Sequence, residues 1–346
     1  MRSSFSLQKI PIVENCFMRY PFKSLYSYYF NVKHHATHKP IDAFFMLLKS
    51  PQLRGNFLMV ITAALWGFAF VAQKTGMDYL GPFMFSAIRF AFGASCLVLL
   101  LVSFSSFFAG RKLDRKGLLT GVVMGVVLTF GAMLQQIGIV ETSAGKSAFI
   151  TAIYILLVPV FLSFLGKKLS LQIWPAAFLV LTGLYLLSIK AGDFSSINQG
   201  DIWVLSSAIF WAVHILLIEK AVINYDPLRL SIVQFYTCSF LSLLGAFIFE
   251  PVVLVDIVKG IKGGWLELAY ASIASVAIAY TLQVFAQRSV PSHQAALVLS
   301  LEAVFGVIGG VWLLGEVVTS RMMFGFGLMF AGIILAQWRF KQRIKV

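Results

Sequence analysis

The chain carries one arrangement of hydrophobic segments twice. Residues 82–90 (PFMFSAIRF) match residues 227–235 (PLRLSIVQF) at an offset of 145 residues. Later matches keep nearly the same offset, 148 and then 149 residues: Leu134-Gln135 with Leu282-Gln283, Gly166 with Gly315, and Gly183 with Gly332. So small a drift indicates one ancestral unit that was duplicated. Internal repeats built from hydrophobic helices are typical of secondary transporters, in which one half rocks against the other.

The composition places these repeats in a membrane. Hydrophobic residues make up 59% of the chain and charged residues only 12%, whereas soluble domains carry about 25% charged residues. The net charge of +14 comes from tails and short loops, which is typical of membrane topology and not of a nucleic-acid surface. Cys16, Cys96 and Cys238 form no metal or disulfide pattern. We therefore expect a polytopic membrane protein with no nucleic-acid partner, no cofactor and no metal.

Ten apolar segments follow one another from Asn56, each about 17–24 residues long, which suits a helix crossing a hydrocarbon core of about 30 Å. They lack the alternation of a transmembrane barrel, so the sequence predicts an all-α fold of ten transmembrane helices. We number them helices 1 to 10, at residues 56–77, 81–104, 117–138, 144–165, 173–190, 201–222, 229–249, 265–287, 293–314 and 321–339.

The basic residues predict the orientation of these helices. If the N-terminus is cytoplasmic, most loop Lys and Arg residues lie on that side, as the positive-inside rule requires. Both termini are therefore predicted to be cytoplasmic, in a multi-pass protein of the cytoplasmic (inner) membrane. Because each repeat has five helices, the second copy is expected to be inverted relative to the first, about a pseudo-two-fold axis in the membrane plane.

The predicted organisation has four parts. Residues 1–53 form a cytoplasmic extension, of which residues 1–45 are expected to be disordered because they lack the apolar content that offsets the entropy of ordering. The first repeat, 54–192, holds helices 1–5, and the second repeat, 193–340, holds helices 6–10. Residues 341–346 form a basic cytoplasmic tail.

Several short motifs recur at characteristic places in these helices. They are ALWGFAF (64–70), the 82–90 stretch, Gln135, Gln136, Gly138 and Ser143 to Lys146 between helices 3 and 4, and Glu302, Gly315 and Glu316 in helix 9. With them, residues 54–340 resemble the EamA-type ten-helix members of the drug/metabolite transporter superfamily. The resemblance implies transport of small solutes such as amino acids and metabolites. The two repeats differ at one of these motifs: the first has Gly166-Lys167 where the second has Gly315-Glu316. We therefore assign no role to Glu316.

Two ionisable residues lie near the middle of predicted helices. Arg89 is about nine residues into helix 2 and Glu302 about ten residues into helix 9, where a charge costs several kcal/mol unless it faces protein or water. Arg89 either anchors an anionic substrate group or belongs to a structural ion pair. Glu302 could pair with Arg89 or carry a proton that drives transport. Their repeat mates by offset are Gln234 and Ile153, and Gln234 joins the cavity candidates; we predict that Arg89 and Glu302 face one central cavity near the membrane midplane.

Aromatic residues extend the predicted cavity. Trp66 and Trp211 are repeat mates at an offset of 145, and they either pack the core or form an apolar wall for substrate. Tyr154 and Tyr280 are open to the same two interpretations. All four are kept as candidates for the lining of the cavity.

Four polar residues lie toward the ends of helices. Gln135 and Gln283 are repeat mates that inversion places near opposite membrane faces, so they are candidates for two alternating gates, or they bond helix to helix. Lys74 and Lys146 lie near the outer mouth. There they either attract anionic solutes or extend to the lipid interface.

These observations favour a transporter over other functions. Residues 144–147 (AGKS) lack the first glycine and the strand of a phosphate-binding loop, and no hydrolase motif is present, so we expect neither an enzyme nor an ATP-driven pump. The predicted function is secondary transport of a small metabolite or amino acid, directed outward, by alternating access. A non-transporting scaffold and a channel-like facilitator are the alternatives. The expected partners are a small-molecule substrate and membrane lipid, with a homodimer left open.

The predicted helices also differ in their polarity. Helices 5 and 10 carry no ionisable residue in their middles, from 174 to 189 and from 324 to 338, as expected of segments that meet lipid. We therefore predict that helices 1–4 and 6–9 surround the cavity and that helices 5 and 10 stand at the periphery.

The N-terminal extension provides the first test. Deleting residues 1–45 is expected to leave membrane insertion and transport intact, because this stretch lacks the apolar content of a packed domain. Membrane fractionation of the truncated protein, followed by a transport assay, measures both. Failure of the truncated protein to insert would show that the extension is structural.

Overall fold

A computed structural model describes residues 50–104, 113–167, 171–188, 198–315 and 319–337. The predicted disordered stretch 1–45 and the basic tail 341–346 lie outside these residues, so both predictions stand as they were made. The helices have the following bounds: helix 1, Pro51–Gly76; helix 2, Pro82–Ser103; helix 3, Arg115–Glu141; helix 4, Ala144–Thr151 and Tyr154–Phe164; helix 5, Ile173–Ser188; helix 6, Gln199–Ala221; helix 7, Pro227–Phe249; helix 8, Trp265–Ala286; helix 9, Ser292–Leu299 and Glu302–Leu314; helix 10, Ser320–Gln337. A short additional helix, Leu254–Gly263, precedes helix 8.

The described residues form helices and no strand. Eight of these helices, all except helices 5 and 10, are long and apolar enough to cross a membrane. The prediction of an all-α, multi-pass membrane protein is therefore confirmed. Helices 5 and 10 offer the shorter apolar stretches Ile173–Gly183 and Met323–Gly332, so the number ten stays a prediction.

The glycines that match at an offset of 149 have the same structural role in both repeats. Gly166 and Gly315 follow helices 4 and 9 with φ of +74° and +71°, a left-handed conformation that glycine adopts without steric penalty. Gly183 and Gly332 lie where helices 5 and 10 cross, and a Cβ at either would come within 2.7 Å of a backbone oxygen of the other helix. The match in sequence is thus also a match in structure.

Helices 4 and 9 are interrupted at matching places. The breaks lie at residues 152–153 and 300–301, where hydrogen bonds of the 3₁₀ type tighten the chain. These breaks are 148 residues apart, so Tyr154 and Glu302, the first residues of the two second halves, occupy equivalent positions. The sequence had paired Glu302 with Ile153, at an offset of 149 residues. In the structure the offset is still 148 at the break and becomes 149 only after it.

Helix 8 contains a π-helical stretch, Tyr270–Tyr280. Two of its backbone oxygens accept hydrogen bonds from helix 1: Ser275 from Trp66 Nε1 at 3.2 Å, and Ala279 from the Thr62 hydroxyl at 3.3 Å. The matching part of helix 3 is α-helical, so this feature belongs to one repeat only. Segments of this kind frequently mark functional sites.

Glu250 fixes the start of helix 2, the helix that carries Arg89. Its Oε1 accepts a hydrogen bond from the Phe83 amide at 2.6 Å, and its Oε2 accepts one from the Met84 amide at 3.0 Å. A carboxylate at a helix N-terminus is stabilised by the unpaired amides there. Burial raises the pKa of Glu250, and these two amide hydrogen bonds oppose that rise. The end of helix 7 is thereby joined to the start of helix 2.

Helices 1 and 9 cross at Gly67, which joins the first repeat to the second. A Cβ built on Gly67 would lie 2.4 Å from Phe305 Cβ and 2.7 Å from the Glu302 carbonyl oxygen. Neither of these atoms is the end of a flexible side chain, so the two helices would have to separate. The crossing therefore depends on the absence of a side chain at residue 67 and lies next to Glu302.

Gly67→Ala is expected to lower the melting temperature of the purified protein, because overpacking a tight contact typically costs about 1–3 kcal/mol. Gly327→Ala is the matched control, since a Cβ at Gly327 meets nothing within 4 Å and alanine favours a helix over glycine. Thermal unfolding in detergent, followed by intrinsic fluorescence, measures both variants. Equal melting temperatures for the two would contradict this account of the crossing.

Candidate functional site

A cavity of about 510 Å³, counting the part that is open to solvent, is lined by residues of both repeats. Helices 1–4, 6, 8 and 9 supply its lining. As predicted, no described residue of helices 5 and 10 takes part. Helix 7 was expected to contribute and does not: its polar residue Gln234 contacts the side chain of His214, which lines the cavity in its place. The lining residues are Trp66, Phe70, Gln73, Arg89, Gln135, Thr151, Tyr154, Trp211, His214, Ile215, Ser275, Tyr280, Gln283, Leu299 and Glu302.

Arg89 brings a buried charge to this cavity. Its side chain is only 3% exposed, and Nη1 donates a 2.6 Å hydrogen bond to Gln73 Oε1. The guanidinium carbon lies 5.0 Å from the centre of the Phe90 ring and 5.7 Å from that of Phe85. Among the described residues, no carboxylate lies within 4.0 Å of Arg89, and its Nε has no hydrogen-bond partner. All of these contacts are with neutral groups.

Glu302 brings the opposite charge to the same cavity. It is 3% exposed, and within the described part of the chain its Oε1 has no hydrogen-bond partner. The Tyr154 hydroxyl is a neighbour of this carboxyl, but it too has no hydrogen-bond partner among the described residues. The ion pair that the sequence allowed between Glu302 and Arg89 is not formed. A guanidinium and a carboxyl therefore share one cavity, and within the described residues neither has a charged partner.

Tyr280 is the centre of an aromatic wall. Its ring meets that of Trp66 edge-on at 4.6 Å between centroids, and the rings of Trp211, His214 and Phe235 lie within 6.2 Å of it. Such arrangements favour contact between ring edges and faces. The Trp211 Nε1 donor has no partner within the described ranges. The aromatic wall thus presents an apolar surface together with one hydrogen-bond donor, Trp211 Nε1.

Sequence reasoning missed four polar lining residues, Gln73, Thr151, His214 and Ser275. Gln73 lies seven residues after Trp66 and His214 three residues after Trp211, so each shares a helix face with a predicted lining residue. This spacing could have identified both. The repeat gives no sign of Gln73 or His214, because their mates, Ile218 and Ala69, are apolar.

Gln234, a predicted lining residue, does not reach the cavity. It is fully buried, and its Oε1 lies 2.8 Å from Nε2 of His214, which itself lines the cavity. Gln234, the repeat mate of Arg89, thus orients His214 and does not itself line the cavity.

Gln135 and Gln283 line the same cavity. Gln135 Nε2 donates to the Thr151 hydroxyl at 2.9 Å, which joins helices 3 and 4. Gln283 Oε1 is buried and has no hydrogen-bond partner among the described residues. Their role as gates stays a prediction.

Lys74 lies against the C-terminus of helix 3. Its Nζ donates to the backbone oxygens of Ile139 and Val140, at 2.9 Å and 2.8 Å, in the last turn of helix 3. A cation there stabilises the negative end of the helix. Lys146 belongs to helix 4, and its side chain lies outside the described part of the structure. Lys74 is not among the residues that line the cavity.

The fold and the cavity can now be compared with known proteins. The EamA-like transporter family matches residues 53–189 and again residues 198–338. The chain belongs to this family. It is therefore a multi-pass membrane transporter built from two copies of the family's domain, and the resemblance found from short motifs is confirmed.

Several curated relatives carry the same description. The chain is 28% identical over 290 residues to an "Uncharacterized transporter" of Archaeoglobus fulgidus, covering 83% of this chain and 87% of that protein. It is 22% identical to the "Uncharacterized transporter YoaV" of Bacillus subtilis, covering 82% and 97%. The "Threonine/homoserine exporter RhtA" of Escherichia coli is 27% identical over 158 residues, 44% of this chain and 50% of that protein.

A solved crystal structure has the same fold. It aligns with a TM-score of 0.67 and 16% sequence identity, covering 82% of this chain and 96% of that one. At this identity the likeness concerns the fold alone. The arrangement of the helices is thus shared with a protein whose sequence has diverged far from this one.

Lys74→Met tests whether this lysine is a structural cap. Loss of the ammonium leaves two carbonyl oxygens of helix 3 without their donor, so we expect a lower melting temperature but an unchanged concentration dependence of transport. Lys74→Arg, which keeps a cationic donor, is the control and should retain more of the stability. A normal melting temperature combined with weaker binding of anionic solutes would instead assign Lys74 to the outer gate.

Proposed function

We propose that this transporter moves a small zwitterionic metabolite, such as an amino acid, outward across the cytoplasmic membrane without ATP. The two repeats are inverted in this proposal, both termini are cytoplasmic, and the cavity opens alternately to each side. Substrate binds between the repeats, where inverted-repeat transporters place their sites.

The observation that carries the proposal is that Arg89 and the Glu302 carboxyl are buried in one cavity and do not pair with each other. A buried ion without a counter-ion is costly, with effective penalties of about several kcal/mol. Arg89 and Glu302 could relieve that penalty by pairing with each other, yet they do not. A zwitterion supplies what both lack, with its carboxylate on Arg89 and its ammonium on Glu302. A non-transporting scaffold has no use for two such groups in one cavity.

The remaining lining suits a small substrate. The cavity combines apolar and aromatic walls with a few polar groups, as small-molecule sites usually do. The Trp211 Nε1 and the Gln283 Oε1 offer a donor and an acceptor, and the rings around Tyr280 provide an apolar surface. The site thus combines charge recognition at its ends with a compact apolar wall.

The direction of transport and the class of substrate draw support from one relative. RhtA is named as an exporter of threonine and homoserine, both of which are small zwitterions. Glu302 provides a route for coupling, because a carboxyl that exchanges its proton for the substrate ammonium would link outward substrate movement to inward proton movement. A channel is not favoured, since a continuous pore lined by rings of charge is not what the described cavity offers.

Reconstituted protein tests the proposal. Proteoliposomes are loaded with each of the twenty L-amino acids, and exchange against labelled amino acid outside is measured with and without a pH gradient. We expect exchange that is accelerated by internal substrate, as an alternating carrier requires and a channel does not. The absence of transport for every amino acid would overturn the proposed substrate class.

Arg89→Gln and Glu302→Gln are expected to abolish this exchange, because each removes one anchor of the zwitterion. Their melting temperatures should equal or exceed that of the wild type, since each change removes a buried charge that has no partner. Lys259→Gln and Asp256→Asn are matched controls: these residues are 75% and 70% exposed and pair only with each other across 3.9 Å. Low stability with normal transport per folded molecule would make Arg89 and Glu302 structural.

A further inference from the structure

We infer that Gln73 determines the substrate preference of this cavity by holding the Arg89 guanidinium with a neutral acceptor, so that its charge stays available for a substrate carboxylate. The inference rests on the proposed function and names the residue that makes Arg89 usable as an anchor. Gln73 is thus a specificity-determining and positioning residue.

The contact between the two residues is close and enclosed. Gln73 is 5% exposed, and its Oε1 lies 2.6 Å from Arg89 Nη1. Gln73 is itself fixed: its Nε2 donates to the Ala69 oxygen at 3.2 Å, and its own backbone oxygen accepts from Gln136 Nε2 at 3.2 Å. The guanidinium therefore has a fixed orientation, set by residues of helices 1 and 3.

A neutral amide is an unusual hydrogen-bond partner for a buried cation. The hydrogen bond between Arg89 and the Gln73 side chain is called the amide clasp below. A carboxylate of the same length would make a stronger, charge-assisted hydrogen bond and would remove the penalty of an uncompensated charge. A residue selected only for stability at this place would therefore be Glu. The amide orients Arg89 and leaves its charge uncompensated, which benefits the protein only if a ligand completes the pair.

The clasp also accounts for the missing ion pair. Arg89 and Glu302 share a cavity, and Gln73 draws the guanidinium toward helix 1 instead of helix 9. If the two charges paired, both anchors would be occupied and a zwitterion would have to displace an existing bond. Gln73 thus keeps the site open as well as charged.

The second repeat is arranged differently. Helix 6 has Ile218 at the position equivalent to Gln73, and helix 7 has the neutral Gln234 at the position equivalent to Arg89. Gln234 bonds to His214 instead. An amide clasp appears only in the repeat that carries the cation, so repeat symmetry does not impose it.

Gln73→Glu is the decisive variant, because it keeps the size and the hydrogen-bond acceptor toward Arg89 and adds a negative charge, at the loss of the donor to the Ala69 oxygen. The carboxylate would neutralise Arg89, so carboxylate-bearing substrates should lose their anchor. We expect exchange of the best-transported amino acid to fall about tenfold or more, while exchange of its carboxamide, which needs no cation, is retained or rises. The melting temperature without ligand should not fall. Gln294→Glu, the same change outside the cavity, is the control.

Gln73→Met is the second variant, similar in length and without an oxygen acceptor. It frees the guanidinium to pair with Glu302, so transport of the amino acid and of its carboxamide should both fall. This variant keeps the inference testable if Gln73→Glu does not fold. Wild-type transport by Gln73→Met would overturn the role of the clasp.

Comparison with Arg89→Gln separates this inference from the proposed function. If Arg89→Gln loses amino-acid exchange while Gln73→Glu keeps the wild-type ratio of amino acid to carboxamide, Gln73 has no such role and the proposed site stands. If both variants exchange amino acids normally, the carboxylate anchor itself is wrong. If wild-type protein exchanges no amino acid, the proposed function fails and the inference fails with it.

Discussion

Two opposite charges that are buried in one cavity without pairing constrain the rest of this structure. Arg89 and Glu302 come from different repeats and are each 3% exposed. Desolvation of either is tolerated only if the surrounding protein supplies orientation and polar contact. Gln73 does this for Arg89, and the break before Glu302 places its carboxyl at the start of a half-helix. The packing of the repeats is therefore arranged around two buried ionisable groups that do not pair with each other.

The broken helices explain how each repeat delivers one group to the cavity. Helices 4 and 9 are interrupted at equivalent places, and the first residue after each break lines the cavity: Tyr154 in one repeat and Glu302 in the other. Discontinuous helices at a repeat interface are common where transporters bind substrate. The duplicated backbone sets the positions, and divergence of the side chains at those positions sets the chemistry.

The sequence predicted what depends on position along one helix. The depth of Arg89 and Glu302 follows from counting residues into apolar segments, and both face the cavity because lipid would not accept them. What depends on contacts between helices could not be predicted. The clasp from Gln73 requires the relative rotation of helices 1 and 2, and the withdrawal of Gln234 behind His214 requires that of helices 6 and 7. The π-helical stretch of helix 8 has no compositional signature that distinguishes it from an α-helix.

The ends of the bundle show that the pseudo-symmetry belongs to the backbone and not to the charges. Lys74 and Glu219 are mates at an offset of 145. Lys74 donates to the carbonyl end of helix 3, whereas Glu219 accepts from the Ser292 amide at the start of helix 9, at 2.9 Å, and pairs with Lys167 at 3.1 Å. Each side chain lies against a pair of consecutive helices, where one helix ends and the next begins. The cation binds the C-terminus of the first helix of its pair, and the anion binds the N-terminus of the second helix of its pair. Equivalent places in the two repeats are therefore held by unlike contacts.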